Sequence, residues 1–246
     1  MEIKTQALVI KVTDVGENDR LLTLLTKDNG IIKAFASNAK RLTNKNNSAT
    51  TALCYSDFTL REVKGSYRVS DAVLLHCFFK IGCDIKKIAL GQYFCEIAET
   101  LSPPDAESEE MLRLVLNTFH YINSEKIELS LLKAIFELRA LSISGYMPDL
   151  SNCAFCGKIN DNQMYFLAQD GVICCKKCND EGNIGIYLDA TSLTAMRYIV
   201  SVNFEKLFSF TIPSEKSERL SKITEKFLMS QVERHFKTLD FYYSFS

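Results

Sequence analysis

The feature that most constrains this chain is a pair of C-x2-C motifs, Cys153-Ala-Phe-Cys156 and Cys175-Lys-Lys-Cys178, separated by 18 residues. This spacing falls within the window typical of structural zinc sites, in which each pair forms a tight turn that presents two sulfurs to one ion. Four thiolates complete a tetrahedral shell, which leaves no position open for a reacting water. The spacing therefore predicts one structural Zn²⁺ bound by Cys153, Cys156, Cys175 and Cys178.

The sequence also offers Cys174 as the third ligand in place of Cys175. Cys174 directly precedes Cys175, so that Cys174 and Cys178 would form a C-x3-C pair. The repeated two-residue spacing favours Cys175. A cluster of buried thiols without metal, and a zinc hydrolase with one exchangeable ligand, are the other interpretations of the same pattern.

Composition favours a globular chain of the cytosolic kind. Hydrophobic residues make up 47% and charged residues 24% of the 246, which is enough to bury a core. The first residues lack the basic flank and apolar run of a signal peptide, so we expect a cytoplasmic protein whose nine cysteines are reduced. Isolated cysteines among apolar neighbours are predicted to be small buried hydrophobes: Cys54, Cys77, Cys83 and Cys95.

Residues 1–80 predict a small β-barrel. Short β-branched segments alternate with turn signals, and the predicted strands cover 5–12, 20–26, 31–36, 55–63 and 67–75. Five strands of this length fit a barrel of the oligonucleotide-binding (OB) type, although an SH3-like barrel would give a similar pattern. The polar segment 37–51 is predicted to be a loop.

Beyond residue 80 the apolar period becomes helical. Helices are predicted over 84–101, 107–123, 128–144, 190–202 and 214–237. The predicted fold class is therefore α+β with several domains: a five-stranded OB-type barrel followed by an all-α domain with an inserted zinc module. The predicted boundaries are 1–80 for the barrel, 81–150 and 183–246 for the two parts of the helical domain, and 151–182 for the four-cysteine module.

Charge is distributed unevenly along the chain. The formal net charge is −1, but residues 1–80 carry +4 and the remainder −5. Four cations with no acid between them in sequence occur at Lys33, Lys40, Arg41 and Lys45. A mobile loop with this charge can follow a phosphate backbone, and we predict that these four residues bind nucleic acid. Strand aromatics are candidates for stacking on bases: Phe35, Tyr55, Phe58 and Tyr67.

Enzymatic interpretations have little support in this sequence. The motifs H-E-x-x-H, G-x-S-x-G and G-x-G-x-x-G do not occur, and the three histidines lie far apart. The sequence therefore predicts a protein that is not an enzyme and has no catalytic residues.

The chain resembles the RecO family of bacterial recombination mediators. The similarity rests on Gly16-Glu-Asn-Asp-Arg-Leu-Leu-Thr-Leu-Leu-Thr26 and Gly30-Ile-Ile-Lys-Ala-Phe-Ala36 near the start. It continues in Leu132-Lys-Ala-Ile-Phe-Glu-Leu-Arg-Ala-Leu141 and Gly145-Tyr-Met-Pro-Asp-Leu-Ser-Asn-Cys-Ala-Phe-Cys-Gly157. The segments Asp170-Gly-Val-Ile-Cys174 and Phe236-Lys-Thr-Leu-Asp-Phe241 extend it towards the end of the chain.

This resemblance implies a non-enzymatic, nucleoid-associated protein of DNA repair and homologous recombination. Such a protein binds single- and double-stranded DNA, anneals complementary strands and contacts the C-terminal tail of single-stranded DNA-binding protein (SSB). With RecR it helps load RecA onto SSB-coated DNA. Lys40, Arg41 and Lys45 match the family's basic loop, which is usually more basic than here, so we expect modest DNA affinity. The alternative function is that of a zinc-ribbon transcription-type protein whose cysteine knuckles contact nucleic acid or polymerase.

Overall fold

The protein is described here from a computed structural model, which covers residues 2–78, 84–159, 163–182 and 184–245. The chain forms two compact units, Met1–Asn123 with Phe236–Ser246, and Ser124–His235. The four-part domain division made from sequence stays a prediction. In the described ranges, no helix is long and apolar enough to cross a membrane.

The first unit contains a closed five-stranded barrel. Its strands are β1 (Glu2–Val15), β2 (Asp19–Thr26), β3 (Ile31–Ala36), β4 (Cys54–Val63) and β5 (Ser66–Cys77). They are ordered β1-β2-β3-β5-β4, with β3 and β5 parallel and the other pairs antiparallel. This order, with β1 pairing on both sides, is that of an OB barrel and confirms the predicted fold class over the SH3-like alternative.

Alternation along the strands builds the barrel core. In β3, Ile32, Ala34 and Ala36 are buried inside, whereas Lys33 points outwards and is exposed. Successive side chains of a strand lie on opposite faces, so the apolar residues of one phase fill the interior. The interior cluster is Ala7, Val9, Leu22, Leu24, Ile32, Ala34, Ala36, Ala39, Ala49, Phe58, Leu60 and Ala72.

Helices and a second sheet complete the described chain. The helices are α1 (Ile85–Leu101), α2 (Glu109–Ser124), α3 (Leu129–Ile143), α4 (Lys176–Asp180), α5 (Ala190–Ser201), α6 (Ser214–Val232) and α7 (Lys237–Tyr243). The strands β6 (Asp149–Cys153), β7 (Met164–Leu167), β8 (Val172–Cys175) and β9 (Ile186–Leu188) form a sheet in the order β6-β8-β7-β9.

Helix α3 lies at the centre of the second unit. Its apolar residues are buried on more than one face, and it also buries Lys133 and Glu137. The Lys133 ammonium pairs with Glu137 at 2.8 Å and with Glu225 of α6 at 2.7 Å. The Thr224 hydroxyl donates to Glu137 Oε2 at 2.6 Å. Because the buried charges are paired and hydrogen-bonded, they fix how α3 packs on α6.

The predicted last helix, 214–237, is shorter in the structure. Helix α6 ends at Val232 because Glu233 takes a left-handed conformation with a φ of 48°, which closes the helix. The chain turns, and α7 begins at Lys237. Phe236, fully buried, packs edge-on against Tyr93 of α1 with ring centroids 5.6 Å apart. Phe236 and Tyr242, which are both buried, thus anchor the end of the chain within the first unit.

Gly30 tests how the β2–β3 turn packs within the first unit. Gly30 has a φ of +59°, and a Cβ there would overlap the carbonyl oxygen of Pro103. We expect Gly30→Ala to lower the free energy of unfolding by about 2–4 kcal/mol, because backbone strain adds to a clash with backbone atoms. Urea denaturation of the full chain measures this loss.

The matched control is Gly65→Ala. Gly65 also has a positive φ, +75°, but a Cβ there meets no atom within 4 Å. We therefore expect Gly65→Ala to lower the free energy of unfolding only by the cost of a left-handed conformation, about 1 kcal/mol. Equal losses for the two variants would mean that the Pro103 contact contributes nothing.

Candidate metal centre and nucleic-acid interface

Four cysteines of the second unit converge on one point. The sulfur atoms of Cys153, Cys156, Cys175 and Cys178 all lie within 4.8 Å of one another. The Cys156 and Cys175 sulfurs are 3.7 Å apart. A tetrahedron with Zn–S bonds of about 2.3 Å has edges of about 3.8 Å, so the spacing suits an ion of that size. Among the residues that the structure describes, no other cluster of His, Cys, Asp or Glu side chains is arranged to hold a metal ion.

Two backbone turns present these sulfurs. In the first, the Cys153 amide donates to the Lys158 carbonyl at 2.9 Å, and the Gly157 amide donates to the Cys153 carbonyl at 2.9 Å. Gly157 has a φ of +72°, a conformation that glycine adopts without a steric penalty. In the second, Cys175 ends β8 and caps α4, whose first turn carries Cys178. Antiparallel pairing of β7 with β8 forms a hairpin between the two motifs.

The pleat of β8 separates Cys174 from Cys175. Both are buried, but adjacent residues of a strand point to opposite faces, so only one of them can face the other three sulfurs. That residue is Cys175. The Cys174 thiol lies instead 4.0 Å from Asn179 Oδ1, and burial raises its pKa to about 11.

The first turn already favours a thiolate. Burial opposes ionisation of Cys153, but amides of Cys175, Cys156 and Phe155 donate hydrogen bonds to its sulfur and lower its pKa to about 6. Burial raises the pKa of Cys178, as do the sulfurs of its three neighbours. A cation at the centre of the cluster would stabilise all four thiolates, since metal ligands must be deprotonated.

The basic segment, residues 37–51 with Lys40, Arg41 and Lys45, is a hydrogen-bonded cap over one end of the barrel. Ala39 and Ala49 contribute to the barrel core, which places both ends of the segment against it. Asn47 Nδ2 donates to the Ala39 carbonyl at 2.8 Å, and Asn46 Oδ1 accepts from the Ala72 amide at 3.2 Å. Backbone turns hold the segment as well, since the Arg41 amide donates to the Asn38 carbonyl at 3.1 Å and the Asn47 amide donates to the Asn44 carbonyl at 3.0 Å. The predicted loop is therefore held by hydrogen bonds, contrary to the expectation of a mobile loop.

The four predicted DNA-contact residues occupy the barrel surface. Lys33 and Arg41 are exposed, and the Arg41 Nε donates to Asn18 Oδ1 at 3.3 Å. Asn18 belongs to the β1–β2 turn, so this hydrogen bond ties the segment to that turn. The cations are thus held on a folded surface rather than on a free arm.

Acids that are distant in sequence meet two of these cations. Lys40 pairs with Asp14 of β1 at 2.9 Å, and Lys45 pairs with Asp71 of β5 at 2.7 Å. The hydrogen bond from Lys45 lowers the pKa of Asp71 below its usual range. The sequence has no acid between positions 33 and 45, but strand pairing brings Asp14 and Asp71 next to Lys40 and Lys45 in the folded protein.

The aromatic residues predicted to stack on bases differ in burial, because successive strand residues point into the barrel or away from it. Phe58 is 1% exposed within the barrel core, so the prediction that it could stack on bases is wrong. Tyr67 packs against the same core. Phe35 and Tyr55 are half-buried, and the Tyr55 hydroxyl donates to Gln6 Oε1 at 2.8 Å.

Arg68 is a surface residue that sequence reasoning missed. Its guanidinium carbon lies 5.5 Å from the centre of the Phe35 ring, across the parallel β3–β5 pairing. Lys33 lies two residues before Phe35 on the same outer face of β3. Lys33, Phe35 and Arg68 thus form a cation–aromatic–cation group. The alternation in β3 was the only sign of this group in the sequence. Arg68 reaches it through the β3–β5 pairing, which joins residues far apart in sequence.

The isolated cysteines mostly follow their prediction. Cys54 and Cys95 are buried, which confirms it, whereas Cys77 is half-buried. Cys83 lies outside the described residues.

Comparison with known families places both units in one class of protein. Residues 1–78 match the family described as "Recombination protein O N terminal", and residues 83–240 match "Recombination protein O C terminal". The two matches together cover nearly the whole chain, which is thus a recombination protein.

Full-length relatives agree with this class. The chain is 30% identical to the DNA repair protein RecO of Acetivibrio thermocellus, over 97% of this chain and 95% of the relative. It is 31% identical to that of Caldanaerobacter subterraneus and 30% identical to that of Clostridium perfringens, in each case over 97% of this chain and 96% of the relative. The chain belongs to the RecO family.

The cysteine geometry predicts different effects for the two neighbouring cysteines. We expect Cys175→Ser to lose bound metal, since it removes one of four converging sulfurs, and Cys174→Ser to retain about one ion per chain. Elemental analysis of the purified full chain after dialysis measures the content and identifies the ion. Metal loss in Cys174→Ser with retention in Cys175→Ser would contradict the assignment.

Proposed function

We propose that this chain is a DNA-repair and recombination mediator that binds single- and double-stranded DNA on the outer surface of its barrel. The observation that carries the proposal is the placement of Lys33, Lys40, Arg41 and Lys45 on a folded OB surface in a member of the RecO family. OB barrels bind oligonucleotides on an outer strand face and its bordering loops. Cations on that surface attract phosphates whatever the sequence of the bases.

The ion pairs on this surface leave the cations available to DNA. The side chains of Lys45 and Asp71 are 74% and 44% exposed, and such pairs contribute only about 0–1 kcal/mol. A phosphate can therefore replace the carboxylate at little cost. The acids remain near the bound strand, however, and their repulsion supports the expectation of modest affinity.

Phe35 and Arg68 add a place for bases beside the phosphate contacts. A half-buried aromatic ring next to a guanidinium offers a flat surface on which a base can stack. Stacking of this kind tolerates any base, which suits a protein that acts on many sequences. We include both residues with the four predicted cations in the DNA-binding surface.

Annealing and loading follow from this binding surface and the family relationship. Bringing two complementary strands together requires cations that screen both backbones, and it requires no covalent chemistry. We therefore propose a non-enzymatic role in which the protein anneals strands and contacts the C-terminal tail of SSB. With RecR it then helps RecA to load onto SSB-coated DNA. This role places the protein in the cytoplasm, at the nucleoid.

We propose that the cysteine cluster holds one structural Zn²⁺ through Cys153, Cys156, Cys175 and Cys178. Four sulfurs at tetrahedral spacing are the donor set that zinc takes in structural sites, with no coordination position left for substrate. The ion would join the two turns that flank the β7–β8 hairpin. Its role is then to stabilise the second unit rather than to act on DNA.

A second candidate function places DNA or polymerase on the cysteine turns. Phe155, at the tip of the first turn, is 57% exposed, and Lys158, Lys176 and Lys177 are exposed close to it in sequence. An aromatic ring and three cations are what a zinc-ribbon protein would use. The four thiolates of a zinc site offset most of that positive charge, so we favour the barrel.

Charge reversal separates these two surfaces. Lys40→Glu/Arg41→Glu/Lys45→Glu should weaken binding of a single-stranded oligonucleotide by about 10–100-fold at low salt. If the wild type contacts four phosphates, the logarithm of its binding constant should fall with the logarithm of the salt concentration at a slope near −3. In the triple variant this slope should become shallower by about 2. Fluorescence anisotropy over a salt series measures both quantities.

The matched control carries the same charge change on the cysteine turns: Lys158→Glu/Lys176→Glu/Lys177→Glu. It should retain the affinity and slope of the wild type. The converse variant, Asp14→Asn/Asp71→Asn, should bind more tightly because it removes the competing carboxylates. A large loss in the control together with normal binding by the barrel variant would refute the proposal and favour the zinc-ribbon function.

A further inference from the structure

Two thiols face each other at the open end of the β4–β5 hairpin. Cys54 is the first residue of β4 and Cys77 the last residue of β5, and the two are direct partners in the antiparallel ladder. The Cys54 thiol is hydrogen-bonded to Cys77. Both carry thiols rather than a disulfide. Neither belongs to the cysteine cluster of the second unit.

The backbone geometry at this position suits a disulfide. Directly opposed residues of antiparallel strands have Cα atoms about 4.5–5.5 Å apart, which lies within the range of about 4.4–6.8 Å found for disulfides. Partners in a ladder also project their side chains to the same face of the sheet. Joining the two sulfurs therefore requires rotation of side chains and no rearrangement of the strands.

The two thiols differ in their access to solvent. Cys54 is 2% exposed, whereas Cys77 is half-buried, so a small oxidant reaches Cys77 first. Burial, with the hydrogen bond to Cys77, raises the pKa of Cys54 to about 12. Cys54 therefore remains a thiol at neutral pH and is protected from direct oxidation. This division resembles that of an oxidisable cysteine with a resolving cysteine beside it.

We propose that Cys54 and Cys77 are a redox-active pair that forms a reversible disulfide when the protein meets hydrogen peroxide. The Cys77 sulfur attacks one peroxide oxygen, the O–O bond breaks, and the leaving hydroxide takes up the thiol proton as water. The resulting Cys77 sulfenic acid is then attacked by the Cys54 sulfur. The S–O bond breaks, and its hydroxyl leaves as a second water with the Cys54 proton. Two thiols are oxidised by two electrons, and one peroxide is reduced.

The bond would crosslink β4 and β5 where the polar segment 37–51 joins the barrel. Leu53, directly before Cys54, is 4% exposed and has a φ of +64°, and its amide donates to the Val9 carbonyl at 2.8 Å. A disulfide here would hold this turn between β1 and β5 in place. The inference concerns the chain's own chemistry and does not depend on the proposed DNA-binding function.

Peptide mapping of the oxidised full chain tests this inference. The reduced protein is treated with hydrogen peroxide, remaining thiols are blocked with N-ethylmaleimide, and the digest is analysed by mass spectrometry. We expect a peptide pair joined through Cys54 and Cys77, about 2 Da lighter than the two reduced peptides together, that dithiothreitol separates. Cys95, which is buried in helix α1 and therefore has no partner in a strand ladder, is the internal control and should not be linked.

Single variants test the order of the two steps. In Cys54→Ser, Cys77 should proceed to sulfinic or sulfonic acid, because no thiol remains to trap the sulfenic acid. In Cys77→Ser, Cys54 should stay a thiol under the same treatment. The wild-type map decides the matter even if a variant fails to fold: over-oxidised Cys77 beside an unlinked Cys54, or a link from either residue to another cysteine or another chain, would overturn the inference.

Discussion

The first unit depends on the closure of its barrel through β1. This strand pairs with β2 from Ala7 to Val15 and with β4 from Glu2 to Leu8, with a bulge between Val9 and Lys11. A bulge bends and twists a strand, which allows a single strand to pair with neighbours on both sides. Closure removes the free sheet edges and encloses the apolar interior. It also brings Asp14, Asp71 and the basic segment together, although they lie far apart in sequence.

The placement of charge on this barrel connects the fold to the proposed function. The cations of the basic segment are held by asparagine hydrogen bonds and weak ion pairs, so they present a formed surface to phosphates. A formed surface loses less conformational entropy on binding than a free arm does. Two nearby carboxylates reduce its attraction for DNA. Under the proposed function, such a surface would hold a strand and also release it, which a mediator between successive complexes requires.

Local signals were sufficient for much of the architecture. The turn at Asp28–Gly30 and the alternation in β3 predicted neighbouring strands, and the repeated cysteine spacing predicted the four converging sulfurs. What escaped prediction depended on strand phase or on distant pairing. The repeated spacing favoured Cys175 over Cys174, but only the pleat of β8 shows that Cys175 faces the cluster, because a shift of one residue would exchange the two. Phe58, inside the barrel, and Arg68, beside Phe35, were misjudged or missed for the same reasons.

In the function that we propose, DNA lies on the barrel and the cysteine centre only stabilises the second unit. Photo-crosslinking of a single-stranded oligonucleotide to the zinc-loaded full chain, followed by mass spectrometry of the crosslinked peptides, tests it most directly. We expect crosslinks between residues 33 and 45 and at Arg68. Crosslinks confined to residues 153–178, with none on the barrel, would contradict it.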